Sequence, residues 1–306
     1  MKTICGALAA RPDGRGDRSS VTFLGIDGGG SKTTFLLEDS KGQELARIET
    51  GPSNWLSANS DEVRESLAAG IASLPSVPDV ACGGFAGAGR HAGIAFYRGC
   101  LESLLPETRV LIESDAFISY IGAIGIQPGV LLIAGTGAIA IARQNDGTMI
   151  RVGGWGPVFG DEGSGYWIGR EAVSAALRAN DAGVFSEFIA AVTNSLGLRQ
   201  ITDAPVAWKS GEIDVRSVAG LARTVFEQYP AEPGKQILRE AAAYLRHLTE
   251  LACERAALPP SCLKSVSGSV STNSLMQELI GVAFSAAANP PAKGAILWAR
   301  DRIRPS

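Results

Sequence analysis

The sequence is short of the side chains that most often carry metal and redox chemistry. Its 306 residues include two histidines, His91 and His247, and five scattered cysteines, Cys5, Cys82, Cys100, Cys253 and Cys262, with no Cys-x-x-Cys pair. That inventory excludes a convincing zinc or iron–sulfur site and fits reduced, mostly buried thiols of a cytoplasmic protein. An excess of charge of one sign is missing too, since 28 basic against 31 acidic residues leave a net charge of −3. Nucleic acid and anionic membranes therefore lose their usual electrostatic footprint. No apolar run approaches the ~20 residues of a membrane-spanning helix. Hydrophobic residues at 45% and charged residues at 19% leave ample core for a globular chain of two domains.

What the chain does have is glycine, 37 residues of it, and the glycines fall at two similar places. In Phe23-Leu-Gly-Ile-Asp-Gly-Gly-Gly-Ser-Lys-Thr-Thr-Phe-Leu-Leu-Glu38 an apolar strand runs into an acid, three glycines and a polar cluster, then a second strand. Glycines let backbone N–H groups approach a polyanion, and successive N–H groups form an anion-binding nest. A Walker A loop needs Gly-Lys-[Ser/Thr] followed by a helix, whereas here Ser31 precedes Lys32 and a strand follows. A dinucleotide fingerprint would need a third glycine where Thr33 stands. The remaining reading is a phosphate-binding β-hairpin with strand 33–38, a turn at Ser40–Gly42 and strand 43–49. Gly129–Ala134, Gly135-Thr-Gly137 and Ala138–Arg143 repeat the pattern, with Asn145-Asp-Gly147 as the next turn and Thr148–Val152 as a third strand. Either both runs are ordinary hairpin corners, or the chain is a duplicated domain with a nucleotide between its halves.

Strands and helices alternate elsewhere, which indicates an α/β fold. Met1–Ser20 reads as a disordered extension, followed by domains over 21–127 and 128–306. Expected helices cover 60–74 (capped by Ser60), 92–105, 116–124, 168–179, 184–196, 215–228, 235–257, 273–284 and 293–303. Further strands are expected at 80–85, 109–113 and 263–267.

Three acidic positions could carry chemistry. Asp27 ends the first strand beside the phosphate loop, where it could hold Mg²⁺ through water or merely shape a turn. Asp115 lies where a strand meets a helix, the edge at which α/β folds collect catalytic groups, and reads both as a general base and as a helix N-cap. Asp161 and Glu162 sit in a glycine-bounded turn, where they could accept sugar hydroxyls or cap the next helix. Trp155 could stack on a sugar ring or fill the hinge. Lys32 could neutralise phosphate or be solvated, and Asn54 could bind substrate or form an Asx-turn.

Taken in order, Gly25-Ile-Asp-Gly-Gly-Gly-Ser-Lys-Thr33, Gly51-Pro-Ser-Asn54, Ala86-Gly-Ala88, Ser114-Asp-Ala116, Ala134-Gly-Thr-Gly137, Gly153-Gly-Trp-Gly156, Gly160-Asp-Glu-Gly-Ser-Gly-Tyr-Trp167 and Ser267-Gly-Ser269 form a series. Over about residues 21–303 the chain resembles the N-acetylglucosamine kinases of the actin-like sugar kinase superfamily, with their bacterial glucosamine and N-acetylmuramic acid kinase relatives. The resemblance implies two duplicated ribonuclease-H-like (actin-like ATPase) domains around a central cleft. It also implies transfer of the ATP γ-phosphoryl group, with Mg²⁺, to the 6-hydroxyl of an amino sugar. Asp115 matches the catalytic base and Asn54, Gly154, Trp155, Gly156 and Asp161 the acceptor side, where Ala138 also falls, while Asp27 is expected to hold the metal. Ser31 and Thr136 match phosphate contacts, with Gly28, Gly29, Gly30, Lys32, Thr33, Gly135 and Gly137 expected to bind ATP beside them, and Ala219, Gly268 and Thr272 fall on the adenosine side. Relatives are often homodimers.

Two departures stand out. Ala138 replaces a frequent Ser, and between Gly268 and Ala292 a strand looks trimmed. Rival readings are an iron–sulfur activator of 2-hydroxyacyl-CoA dehydratases, a ROK-type kinase and a non-catalytic sugar sensor. The first lacks cysteines near residues 113–170, the second lacks its zinc motif, and the third would carry a DNA-binding helix pair.

Overall fold

A computed structural model of the protein describes residues 21–55 and 59–303, so the expectation for Met1–Ser20 lies outside the described residues. The first sheet contains β1 (Phe23–Gly28), β2 (Thr33–Glu38), β3 (Glu44–Thr50), β4 (Val80–Phe85) and β5 (Arg109–Ser114), in the order β3-β2-β1-β4-β5. Between these strands run α1 (Ser60–Ala72) and α2 (His91–Leu104), and α3 (Asp115–Ile124) leaves the last of them. The second sheet contains β6 (Gly129–Ala134), β7 (Ala138–Arg143), β8 (Met149–Gly153) and β9 (Lys264–Ser267), in the order β8-β7-β6-β9. In each sheet the Gly-turn hairpin is antiparallel and its first strand pairs in parallel on the other side, β1 with β4 and β6 with β9. The duplication expected from two glycine runs is therefore present in the pairing itself.

Between β8 and β9 the chain inserts α4 (Gly165–Asp181), α5 (Glu187–Ser195), α6 (Ala204–Ser210), α7 (Val215–Glu227) and α8 (Gly234–Arg255). α9 (Ser274–Ile280) and α10 (Pro291–Ile303) follow β9. Helix ends are set by caps that hydropathy does not show. The α1 cap is Asn59 and not Ser60, its side chain accepting from the Asp61 N–H. The helix expected over 273–284 stops at Ile280 because Gly281 adopts a left-handed φ of 66°. Short α6 was not expected at all. The trimmed strand is reduced to one parallel bridge between Ser265 and Ser285.

The central strands of both sheets are buried on both faces, and the alternation along them sorts residues between layers. Leu24 and Ile26 join the core under α1 and α2, whereas Phe23 faces a middle layer. Leu131 and Ile141 of the second sheet meet the same middle layer, while Val130, Leu132 and Ala134 face α4, α7 and α8. The middle layer consists of α3 and α10. α10 packs on β1 and β4 as well as on α3. Lys293 binds both Glu38 oxygens at 2.5 and 2.6 Å, and the Trp298 indole N–H donates to Glu113 at 2.8 Å. A boundary at residue 127/128 places α10 with the second half of the chain, but its packing places it on the first sheet.

Candidate active site

Three parallel strands end in register, Gly28 beside Phe85 and Phe85 beside Ser114. Asp27 is thus one residue inside the carboxyl edge of the first sheet, and Asp115 one residue beyond it. The helix that Asp115 begins is capped by Ser114, whose side chain accepts from Phe117 N–H at 3.2 Å, so capping does not explain the aspartate. Burial, then the nearby Asp115 charge, raises the Asp27 carboxyl to about 6, with Lys32 pulling the other way. The Asp115 carboxyl is also raised, chiefly by burial, and is opposed by backbone N–H groups and the Arg151 charge. Two partly buried carboxylates so placed suit a cation between them and the phosphates. Among the described residues no group of three potential ligands forms a metal cluster, so any such ion would take most of its ligands from phosphate and water.

The raised Asp27 carboxyl makes a testable demand. A folded-state pKa above the unfolded one means that the folded protein holds the proton more tightly, so stability is lost as pH rises from about 4 to about 6. In metal-free buffer, Asp27→Asn is expected to melt higher than wild type at pH 7, with the difference vanishing near pH 4. Melting curves across that range check it, and a pH-independent difference would contradict the assignment.

The first glycine hairpin is tight, Gly29 N–H donating to Lys32 O at 3.1 Å, and Gly30 and Ser31 are exposed at its tip. Thr33 is fully buried, its hydroxyl donating to Gly51 O and hydrogen-bonded to the Ser53 hydroxyl, each at 2.8 Å. It anchors the Gly51–Asn54 loop, which Ser53 N–H ties to Gly29 O at 3.0 Å and Tyr97 holds from behind by donating to Ser53 O at 2.5 Å. Lys32 forms an ion pair with Glu49 on the neighbouring strand. A cation from the second lobe reaches this hairpin instead, Arg216 at the start of α7 donating to Gly30 O at 2.8 Å.

In the second hairpin Gly135 N–H donates to Gly137 O at 3.0 Å. The first N–H groups of α4 are bound there, Gly165 to Gly135 O at 2.7 Å and Tyr166 to Thr136 O at 3.3 Å, leaving Thr136 exposed at the tip. Ala219 and Gly268 crowd the same corner. A Cβ on Gly165 would stand 3.1 Å from Ala219 O, and one on Gly268 would stand 2.9 Å from Gly135 N. The Thr272 hydroxyl donates to Gly268 O at 2.8 Å. The structure thus brings Gly135, Ala219 and the Gly268–Thr272 turn together from three segments.

On the acceptor side, Asp161 takes a left-handed φ of 63° and is buried, its Oδ1 accepting from Gly156 N–H at 3.2 Å. Its carboxyl is raised mainly by burial, against backbone donors at Gly156 and Ala138. Ala138 itself is buried at the base of the turn. Gly153, Gly154 and Gly156 all have positive φ, and Trp155 between them is 69% exposed. Arg151, which the sequence reading passed over, donates to the carbonyls of Gly153, at 3.1 Å, and Gly154. Its guanidinium lies 4.8 Å from the centre of the Trp155 ring. The Arg151 charge also lowers both the Asp115 and Asp161 carboxyls, as the least of the influences on each. An arginine two residues before Gly-Gly on a strand was the available signal.

Twin sheets of matching topology, each with a glycine hairpin at the shared edge, define an actin-like ATPase fold. The chain belongs to the BadF/BadG/BcrA/BcrD ATPase family, whose model matches residues 24–299. It is 34% identical over 233 residues to an N-acetylmuramic acid/N-acetylglucosamine kinase of Clostridium acetobutylicum, covering 72% of this chain and 76% of the relative. It is 35% identical over 179 residues to an N-acetyl-D-glucosamine kinase of Dictyostelium discoideum, covering 53% of this chain and 56% of that one. The solved structure of a candidate N-acetylglucosamine kinase of Chromobacterium violaceum superposes with a TM-score of 0.74 at 27% identity, over 90% of this chain and 98% of that one. A ROK family glucokinase of Streptomyces griseus, at 16% identity and a TM-score of 0.55, shares the fold.

Proposed function

We propose that the protein is an ATP-dependent kinase of the 6-hydroxyl of N-acetylglucosamine, with glucosamine or N-acetylmuramic acid as the alternative acceptors. The observation that carries this reading is the placement of Asp27 and Asp115 at one sheet edge, with Arg151 and Asp161 bracing the Gly153–Gly156 turn. Asp115 receives the proton of the attacking hydroxyl, a task suited to a carboxyl whose hold on a proton is strengthened by burial. The Gly28–Ser31 and Gly135–Gly137 turns hold the triphosphate, with Ala219, Gly268 and Thr272 on the adenosine side. Asn54, Gly154, Trp155, Gly156 and Asp161 hold the acceptor. Mg²⁺, held by Asp27 through water, would screen the phosphate charge. Closure of the lobes would exclude water from the transfer and limit ATP hydrolysis.

The names of the Clostridium and Dictyostelium relatives support this acceptor class. No helix among the described residues is long and apolar enough to cross a membrane, and we place the protein in the cytoplasm as a homodimer. Purified protein with ATP and Mg²⁺ is expected to release ADP only when an amino sugar is added, fastest with N-acetylglucosamine. Coupled assay over a sugar panel checks this; ADP release indifferent to every sugar would remove the kinase reading.

A further inference from the structure

We propose that Arg151 is the positioning residue of the acceptor loop, clamping the Gly153 and Gly154 carbonyls and one face of Trp155 so that the opposite face meets the sugar. The inference rests on the reading of Gly153–Gly156 as an acceptor loop, and it starts from what that loop is made of. Gly153, Gly154 and Gly156 have φ of 75°, 70° and 87°, a left-handed path that glycine permits but does not hold. Something outside the turn must fix it if Trp155 is to present a defined surface. The N–H groups are fixed by Ala138 O, which accepts from Gly154 at 2.9 Å, and by Asp161, which accepts from Gly156 at 3.2 Å. The two carbonyls are fixed by Arg151 alone among the contacts described, through Nε to Gly153 and Nη2 to Gly154.

The clamp is itself anchored. Arg255, near the end of α8, donates to Arg151 O at 3.1 Å and so ties β8 to that helix. The guanidinium then lies over the Trp155 ring, 4.8 Å from its centre, so one indole face carries a cation while the residue stays 69% exposed. A ring covered on one side and open on the other suits the C–H face of a pyranose. Arg is the residue type this geometry needs, because one planar fork can donate to two carbonyls and stack at once, whereas a lysine ammonium is a single point charge.

The test compares wild type with Arg151→Met and Arg151→Lys, by steady-state kinetics and by equilibrium titration of N-acetylglucosamine followed by tryptophan fluorescence. Both variants are expected to raise the acceptor KM and Kd at least tenfold, with the ATP KM within twofold of wild type. Lys is expected to recover only part of the loss. An acceptor Kd within twofold of wild type in the Met variant, even with a lower melting temperature, would overturn the proposal. So would full recovery by Lys, since charge alone would then suffice. If the Met variant does not fold, the Lys variant alone decides by the same criterion. A wild type that binds the sugar but transfers nothing would remove the kinase reading and leave the Arg151 comparison intact.

Discussion

Asp115→Asn is expected to lower kcat by about 10²–10⁴, the range removed with a well-placed general base. The substitution keeps the shape of the side chain and the Ser114 cap of α3, so secondary structure should be unchanged. It also removes a charge that burial disfavours, so the melting temperature at pH 7 should equal or exceed that of wild type. Loss of turnover with an intact or more stable fold is therefore the signature expected of a catalytic carboxylate. A purely structural aspartate would give the opposite pattern, with stability falling and the rate per folded molecule surviving. Stopped or coupled assays at saturating ATP and sugar, beside melting curves, separate the two. An Asn variant within tenfold of wild type would remove Asp115 from the chemistry and leave the kinase without its base.

The second large effect concerns the fold. α10 approaches the first sheet so closely that a Cβ on Gly25 would stand 2.0 Å from the Ala292 carbonyl oxygen. On the other side of the same helix, a Cβ on Gly294 would stand 2.0 Å from the Ile118 carbonyl oxygen of α3. Both obstacles are backbone, which cannot swing aside as a side chain can. Gly25→Val and Gly294→Val are each expected to destabilise the protein by about 3 kcal/mol or more, the upper end of overpacking costs. Denaturant titration checks this, and a change under about 1 kcal/mol would show that α10 can shift outward without loss. Gly30→Val makes a control, because nothing lies within 4 Å of a Cβ built there.

Much of the architecture was legible in the sequence because local rules and tertiary packing agree. Both hairpins followed from apolar runs broken by glycines, and β1, β2, β6 and β7 match their expected bounds closely. What was hidden is non-local. α10 has an ordinary helical pattern, and nothing in residues 291–303 says that its partner is a strand at the other end of the chain. Lys32 looks like a phosphate lysine until the hairpin brings Glu49 beside it. Thr33 belongs by motif to the phosphate loop, yet its hydroxyl is committed to Gly51 and Ser53. Arg151 was passed over because strand alternation marks it merely as an outward residue. Only the left-handed turn after it folds the glycine carbonyls back into its reach.

The placement of α10 also bears on how the molecule is made. As the ribosome delivers the chain, the first sheet has all five strands after residue 114, yet part of the surface around Gly25 and Glu38 stays uncovered until residues 291–303 emerge. The earliest half to be synthesised is thus the last to be finished. Nascent polypeptides stalled before that helix should expose β1 and recruit chaperones, whereas release of the full length should let the amino-terminal lobe shut in a single late step.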